Sequence, residues 1–407
     1  MRLTLRRRLA ATLTTVIGLI SLTVGAAPAG AADFYDPPSP LPRGSNGDII
    51  RHEAAQFFLD PTKLVPAPAT VQRIMYRSTD THGDPIAVTG TVLTPTTPWT
   101  GLGERPIIGY AAGTQGLGDS CAPSKALALG QEYEGPFLTG LLSRGYAIAL
   151  TDYEGLGTPG VHTYVNRKAE GYAVLDAIRA AQRLPEAGLP DHGPVAIAGY
   201  SQGGGAAAAG AELQAGYAPE LKLKGTYAGA PPADLAPVAA NLDGSYAVGF
   251  LLFAVASINY AYPEADVTSV LNDKGKAVLA QVANECTADA LLGHALTRTA
   301  DLTADGRPIT AYLSEEPFAS VVAEQLIGRI APAAPVLVVH SALDDIVPFE
   351  QSRTMANSWC AKGATVQFET LAVPTHALAF VAAYPDALTW LDGRLLGIPA
   401  PDNCGTF

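Results

Sequence analysis

The strongest constraint on the fold is a rhythm. Six short apolar runs, at residues 106–111, 145–150, 194–198, 224–229, 335–339 and 365–371, alternate with longer stretches of helical character. A strand that is apolar along its whole length is buried on both faces. Such strands alternating with helices predict a mainly parallel sheet with helices on both faces. A β-hairpin precedes them, because residues 70–93 alternate apolar and polar side chains on either side of Thr81-His82-Gly83-Asp84. Residues 33–68 are Pro-rich and read as an irregular arm laid over the fold. Helices are expected over residues 122–143, from about 170 to 184, and after Gln202, where the chain is rich in small residues.

Between residues 229 and 335 the rhythm stops, and no strand signal interrupts the gap. Residues 246–262 within it are strongly apolar and end at Pro263. The stretch reads either as an ordinary buried helix or as part of a helical cap inserted late in the sheet. It is too short for a membrane span, which needs ~20 apolar residues.

Composition removes several function classes. The chain has 38 acidic and 26 basic residues, a net charge of −12, so it lacks the basic footprint of a nucleic-acid binder. That balance also gives no pull toward anionic lipid headgroups. With 48% hydrophobic and 16% charged residues over 407 positions it can bury a large core.

The N-terminus reads as a secretory signal peptide. Arg2, Arg6, Arg7 and Arg8 precede an apolar run over 9–24, and Ala29-Gly30-Ala31 supplies the small residues of a cleavage site near Ala31. The protein is therefore expected to be secreted. In an oxidising compartment Cys121, Cys286, Cys360 and Cys404 suggest two disulfides, for which four cysteines allow three connectivities. No C-x-x-C pair is present, so a zinc site is not expected.

Gly199-Tyr200-Ser201-Gln202-Gly203 is a G-x-S-x-G motif directly after an apolar run and directly before a small-residue helix. That context is a nucleophile elbow, with Ser201 on a strained strand-to-helix turn. Without it the motif would be a Gly-rich turn with a passive serine. A serine hydroxyl needs a base. Of the seven histidines (His52, His82, His162, His192, His294, His340, His376) only the last three follow Ser201, and the elbow arrangement runs Ser, acid, His. His294 falls in the strand-free segment and His340 reads as structural. His376 follows the last apolar run and opens the final helix, where the base belongs. Asp344 is the expected acid, by its distance from the run at 335–339 and the Ile-Val-Pro that follows; Asp345 reads as a solvated or capping carboxylate. The oxyanion hole is expected to use the N–H of Gln202 and one donor from the Gly-rich loop at 112–118, either Thr114 or Gln115.

Together these residues resemble the secretory lipase family, the lipase-A-like branch of the α/β-hydrolases. The resemblance rests on Gly199–Gly204, on Cys121-Ala122-Pro123-Ser124, on Ser341-Ala342-Leu343-Asp344 leading to Val347-Pro348, and on Thr375-His376-Ala377-Leu378-Ala379-Phe380. Ser341 stands where a glycine is common, and the oxyanion loop lacks the acidic residue of some members. The resemblance implies the pairings Cys121–Cys286, tying the oxyanion loop to the cap, and Cys360–Cys404, stapling the C-terminal tail. It also implies a helical cap over an acyl tunnel, and ester hydrolysis with no cofactor or metal.

The expected organisation is a leader at 1–31, an α/β-hydrolase core with its N-terminal arm at 32–235, a helical cap at 236–330 and the rest of the core at 331–407. The expected function is a secreted serine ester hydrolase cleaving acylglycerol or other lipid esters through an acyl-enzyme on Ser201. The partners expected are a lipid or small ester and an oil–water interface, with no nucleic acid and no protein partner. One alternative is a short-chain carboxylesterase or polyester hydrolase; another is an inactive hydrolase fold that binds rather than cleaves.

Overall fold

Among the described residues, the apolar runs become the six parallel strands of one nine-stranded sheet of order β1-β2-β3-β5-β4-β6-β7-β8-β9. Its strands are β1 (Ile49–Ala54), β2 (Ala69–Thr79), β3 (Pro85–Pro95), β4 (Ile107–Ala111), β5 (Ala147–Tyr153), β6 (Pro194–Tyr200), β7 (Lys222–Gly229), β8 (Val336–Ser341) and β9 (Val366–Leu371). The structure is a computed structural model that describes residues 33–407; the leader expected at 1–31 lies outside them. Strands β4 to β9 pair in parallel, whereas β1, β2 and β3 extend the sheet antiparallel from β5.

The helices are α1 (Pro123–Leu129), α2 (Gly135–Ser143), α3 (Arg167–Arg183), α4 (Gln202–Tyr217), α5 (Leu235–Leu242), α6 (Val248–Ala261), α7 (Asp273–Val282), α8 (Thr287–Gly293), α9 (Phe318–Gln325), α10 (Phe349–Ala361) and α11 (His376–Leu395). Neighbouring residues of β4 show that both faces are covered, because successive side chains point to opposite sides. A Cβ at Gly109 would meet Ile178 and Val174 of α3, while the next residue, Tyr110, packs on Phe137 of α2. Strands β4 and β5 are buried at every position. Each fully buried Ile, Leu or Val there contributes about 1.5–3 kcal/mol of apolar transfer.

Two expectations need correcting. The arm at 33–68 contains strand β1, whose Arg51 and Glu53 hid it: an edge strand pairs on one side only and needs no apolar run. The helical stretch at 122–143 is two helices, α1 and α2. Gly130 ends the first in a left-handed conformation (φ 66°), and a Cβ there would lie 2.0 Å from the Asp60 carbonyl oxygen.

Between β7 and β8 the chain adds α5 to α9 with short 3-10 turns and no sheet strand. Helix α6 meets both readings of residues 246–262. Phe253 and Leu252 are buried among the other inserted helices, while Phe250, Leu251, Ala254, Val255 and Ile258 border an internal cavity. Cys360 at the end of α10 is bonded to Cys404, which fastens the C-terminal tail.

Candidate active site

Ser201, Asp344, His376 and the 112–118 loop all stand just beyond the C-terminal ends of parallel strands: β6, β8, β9 and β4 respectively. That end of an open parallel sheet is where crevices form, at the point where strand order reverses. Here β4 lies between β5 and β6, and the loop leaving β4 starts beside the elbow, with Ala111 paired to Gly199.

The elbow is as strained as the motif requires. Ser201 has φ 61° and ψ −125°, and its N–H is held by the Gly229 carbonyl at 2.9 Å. A Cβ at Gly199 would lie 2.2 Å from the Gly203 oxygen, and one at Gly203 would lie 2.0 Å from the Ala111 oxygen. Only glycine lets α4 start this close to the sheet. The N–H of Gln202 belongs to the first turn of α4, where main-chain donors lack helical partners and the dipole is positive.

Two adjacent aspartates grip one histidine. His376 Nδ1 lies 2.6 Å from Asp344 Oδ2, and the His376 main-chain N–H donates to Asp345 Oδ1 at 2.8 Å. The other ring nitrogen of His376, Nε2, is buried and makes no hydrogen bond among the described residues. Tyr200 fixes the ring beside the elbow: its hydroxyl donates to the His376 carbonyl at 2.9 Å, and the two rings lie 4.9 Å apart. Asp344 Oδ1 accepts from the N–H groups of Ile346 and Val347, each at 2.9 Å. His340 Nε2 is 3.2 Å from Asp344 Oδ2 and 3.0 Å from the Val347 carbonyl. Burial opposes ionisation of Asp344, but hydrogen bonds from His340 and His376 outweigh it and hold the carboxyl well below its usual range. Asp344 is thus a carboxylate, and His376 carries its proton on Nδ1.

On the other side, the loop after β4 is pinned at both its carbonyls and its flanking amides. The Gly113 N–H donates to Glu134 Oε2 at 2.8 Å, and Gln115 Nε2 donates to Glu132 Oε1 at 3.1 Å. From α8, Thr287 donates its N–H to the Gln115 carbonyl and its hydroxyl to the Thr114 carbonyl, at 2.9 and 2.8 Å. The Leu117 and Gly118 N–H groups go to the Glu285 carbonyl. Cys121 is bonded to Cys286 beside these contacts, the pairing the resemblance implies. The N–H groups of Thr114 and Gln115 make no hydrogen bond among the described residues, and both remain candidate donors.

Ser201 and Gln202 form the polar corner of an apolar cavity walled by α5, α6 and the Ile346-Val347 turn. A second apolar cavity among the inserted helices shares Val255, Ile258, Ile309, Leu313 and Val322 with it.

Sequence reasoning missed the buried acids. Burial pushes the Glu132 carboxyl up to about 7 and the Glu134 carboxyl well above its usual range. Both lie in the turn between α1 and α2, within a stretch that reads as helical, and bond to a loop about twenty residues away, so no local spacing marks them.

The family profile described as Secretory lipase matches residues 121–403. A Mycobacterium tuberculosis protein named a probable inactive lipase is 29% identical over 383 residues, covering 91% of this chain and 83% of the relative. A secreted triacylglycerol lipase of Malassezia globosa is 28% identical, covering 91% and 80%. The crystal structure of Candida antarctica lipase A in its closed state superposes with a TM-score of 0.81 at 25% identity, covering 92% of this chain and 88% of that one. With its elbow, its parallel sheet and its inserted helices, this chain belongs to the secretory lipase family, carboxylic ester hydrolases of the α/β-hydrolase fold.

Proposed function

We propose that the protein cleaves fatty-acyl esters, acylglycerols among them, by acyl transfer through Ser201. The observation that carries this reading is the Asp344–His376 contact of 2.6 Å, with His376 Nε2 unbonded and its ring 4.9 Å from that of Tyr200, the residue before an elbow serine that opens into an apolar cavity. His376 Nε2 takes the Ser201 hydroxyl proton as Oγ adds to the ester carbonyl. The resulting oxyanion is held by the Gln202 N–H and by Thr114 or Gln115. Collapse breaks the ester C–O bond, and His376 returns the proton to the departing alcohol. Water, deprotonated by the same nitrogen, then adds to the acyl-enzyme and releases the fatty acid and the serine. Asp344 keeps the imidazole in the tautomer that can do this and stabilises the imidazolium.

The two adjacent cavities, with Val255 and Ile309 lining both, support an acyl chain longer than butyryl that enters at Ser201 and runs past those residues. The test is turnover of p-nitrophenyl butyrate and tributyrin by the parent and by Ser201→Ala, then a rate series from acetyl to oleoyl esters. Retained turnover in Ser201→Ala rejects the mechanism. Rates that peak at acetyl or butyryl favour the short-chain esterase alternative. Because one relative is named inactive, fluorophosphonate labelling of Ser201 is a necessary companion, and its failure would favour a binding role. We further propose that the leader is removed near Ala31 on export and that substrate is met at an oil–water interface. The mass of the mature protein from culture medium tests the first, and activity below and above tributyrin saturation tests the second.

A further inference from the structure

The elbow motif does not say what holds the side chain of Gln202, whose main chain supplies an oxyanion donor. Two buried groups outside the triad do so. Gln202 Nε2 lies 2.7 Å from Glu170 Oε1 and 2.8 Å from His162 Nε2. His162 Nδ1 lies 2.9 Å from the Glu154 carbonyl, which can only accept. Nδ1 therefore carries the ring proton, and Nε2 accepts from Gln202. The ring itself is fixed, stacked on Tyr153 with centroids 5.5 Å apart and edge-on to Tyr164 at 6.1 Å.

The same Glu170 oxygen accepts the Val165 N–H at 2.8 Å. Val165 is β-branched yet has φ 53°, a conformation that persists only where the surroundings enforce it. Val165 and Tyr164 line the cavity at Ser201, and the Tyr164 hydroxyl is 3.0 Å from Thr114 Oγ1 on the opposite oxyanion loop. Burial raises the Glu170 carboxyl to about 8 and lowers the His162 imidazole to about 4, which suits two uncharged acceptors facing one amide.

We infer that Glu170 and His162 are positioning residues of the oxyanion hole, locking the Gln202 side chain and the Val165 backbone so that the Gln202 N–H keeps its aim. The strained Ser201 is then clamped on both flanks, by Gly229 before it and by the Glu170–His162 pair after it. The inference rests on the ester-hydrolase reading of Ser201.

Three variants test it on p-nitrophenyl butyrate, with sites counted by fluorophosphonate labelling taken to completion. Glu170→Gln keeps an acceptor oxygen for both N–H groups, Glu170→Ala removes it, and His162→Phe keeps the ring packing without the acceptor. The expected result is a loss of about 10–100-fold in kcat per labelled site for Glu170→Ala and His162→Phe, from misalignment rather than removal of a donor. KM should stay within about threefold, and Glu170→Gln should stay within about threefold of the parent in kcat. Where Glu170→Ala does not fold, His162→Phe supplies the same comparison. Unchanged kcat per labelled site, or a loss confined to KM, or equal damage by Glu170→Gln and Glu170→Ala, overturns the inference. A parent that neither labels at Ser201 nor turns over the ester overturns the reading beneath it instead, and the parent is measured first.

Discussion

Replacing Asp344 by asparagine asks whether one carboxylate sets the tautomer of the base. In the structure Asp344 Oδ1 accepts two main-chain N–H groups at 2.9 Å, and Oδ2 faces His376 Nδ1 at 2.6 Å and His340 Nε2 at 3.2 Å. An amide can sit two ways. With its oxygen on the main-chain pair, its NH2 faces His376, which can meet it only with a lone pair on Nδ1. The ring proton then moves to Nε2, the atom that must receive the serine proton. With the amide turned over, its NH2 faces the N–H groups of Ile346 and Val347, leaving buried donors unpaired at about 1–3 kcal/mol each. The first arrangement wins, and the enzyme folds with the wrong tautomer. The expected loss in kcat is about 10⁴-fold, equivalent to about 5 kcal/mol. KM should change little, because neither aspartate borders the apolar cavity. Asp345→Asn is the control: its Oδ1 accepts only the His376 N–H, an amide oxygen can still do so, and the expected change is within about fivefold. Initial rates on p-nitrophenyl butyrate, with folding checked by thermal unfolding, decide between them. A kcat above a tenth of the parent in Asp344→Asn, or a larger loss in Asp345→Asn, refutes the reasoning.

Other consequences follow from burial and connectivity. Glu132 and Glu170 have carboxyls raised by burial to about 7 and about 8, so the folded chain keeps protons that the unfolded chain releases. Stability should therefore fall as the pH rises from the ordinary carboxylate range, about 4.3, through those values, and Glu170→Gln should make the fall of Tm with pH shallower. Asp344 acts in the opposite sense, its contribution present above the ordinary carboxylate range and lost as the pH falls toward its depressed value, so Asp344→Asn should flatten the acid limb. Val255→Trp, at the junction of the two cavities, should cut p-nitrophenyl palmitate turnover at least about tenfold while butyrate turnover stays near the parent's; equal effects on both would reject the joined tunnel. Removing Cys121–Cys286, whose cysteines are 165 residues apart, should cost about 3–5 kcal/mol in denaturant unfolding, the upper part of the range for a long loop.

How much of this was legible in the sequence depends on how local each constraint is. The elbow was readable because two close approaches, at Gly199 and Gly203, leave no room for a Cβ and so write glycine into a five-residue window. The meeting of Asp344 and His376 was readable because parallel strands deliver such groups to loops at their C-terminal ends, and strands announce themselves as apolar runs. Asp345 was half readable; it caps the start of α11 as one reading had it, and it also accepts from Tyr246 in the turn between α5 and α6. Glu132, Glu134, His162 and Glu170 had no such signal. Each is bound through amide or main-chain groups on segments remote in the chain, and a lone acid in a helical stretch looks like a solvated face. His162 was set aside because it precedes Ser201, yet chain order restricts the base and says nothing about a residue that holds the next amide in place. The cavity is the extreme case. Its walls bring α6 against Ile309, Leu313 and Val322, more than fifty residues from the start of that helix, and only apolar side chains meet there. Any apolar sequence of similar volume would satisfy such a wall, so the candidate reaction centre is specified residue by residue while the shape of the proposed acyl site is specified only by the fold.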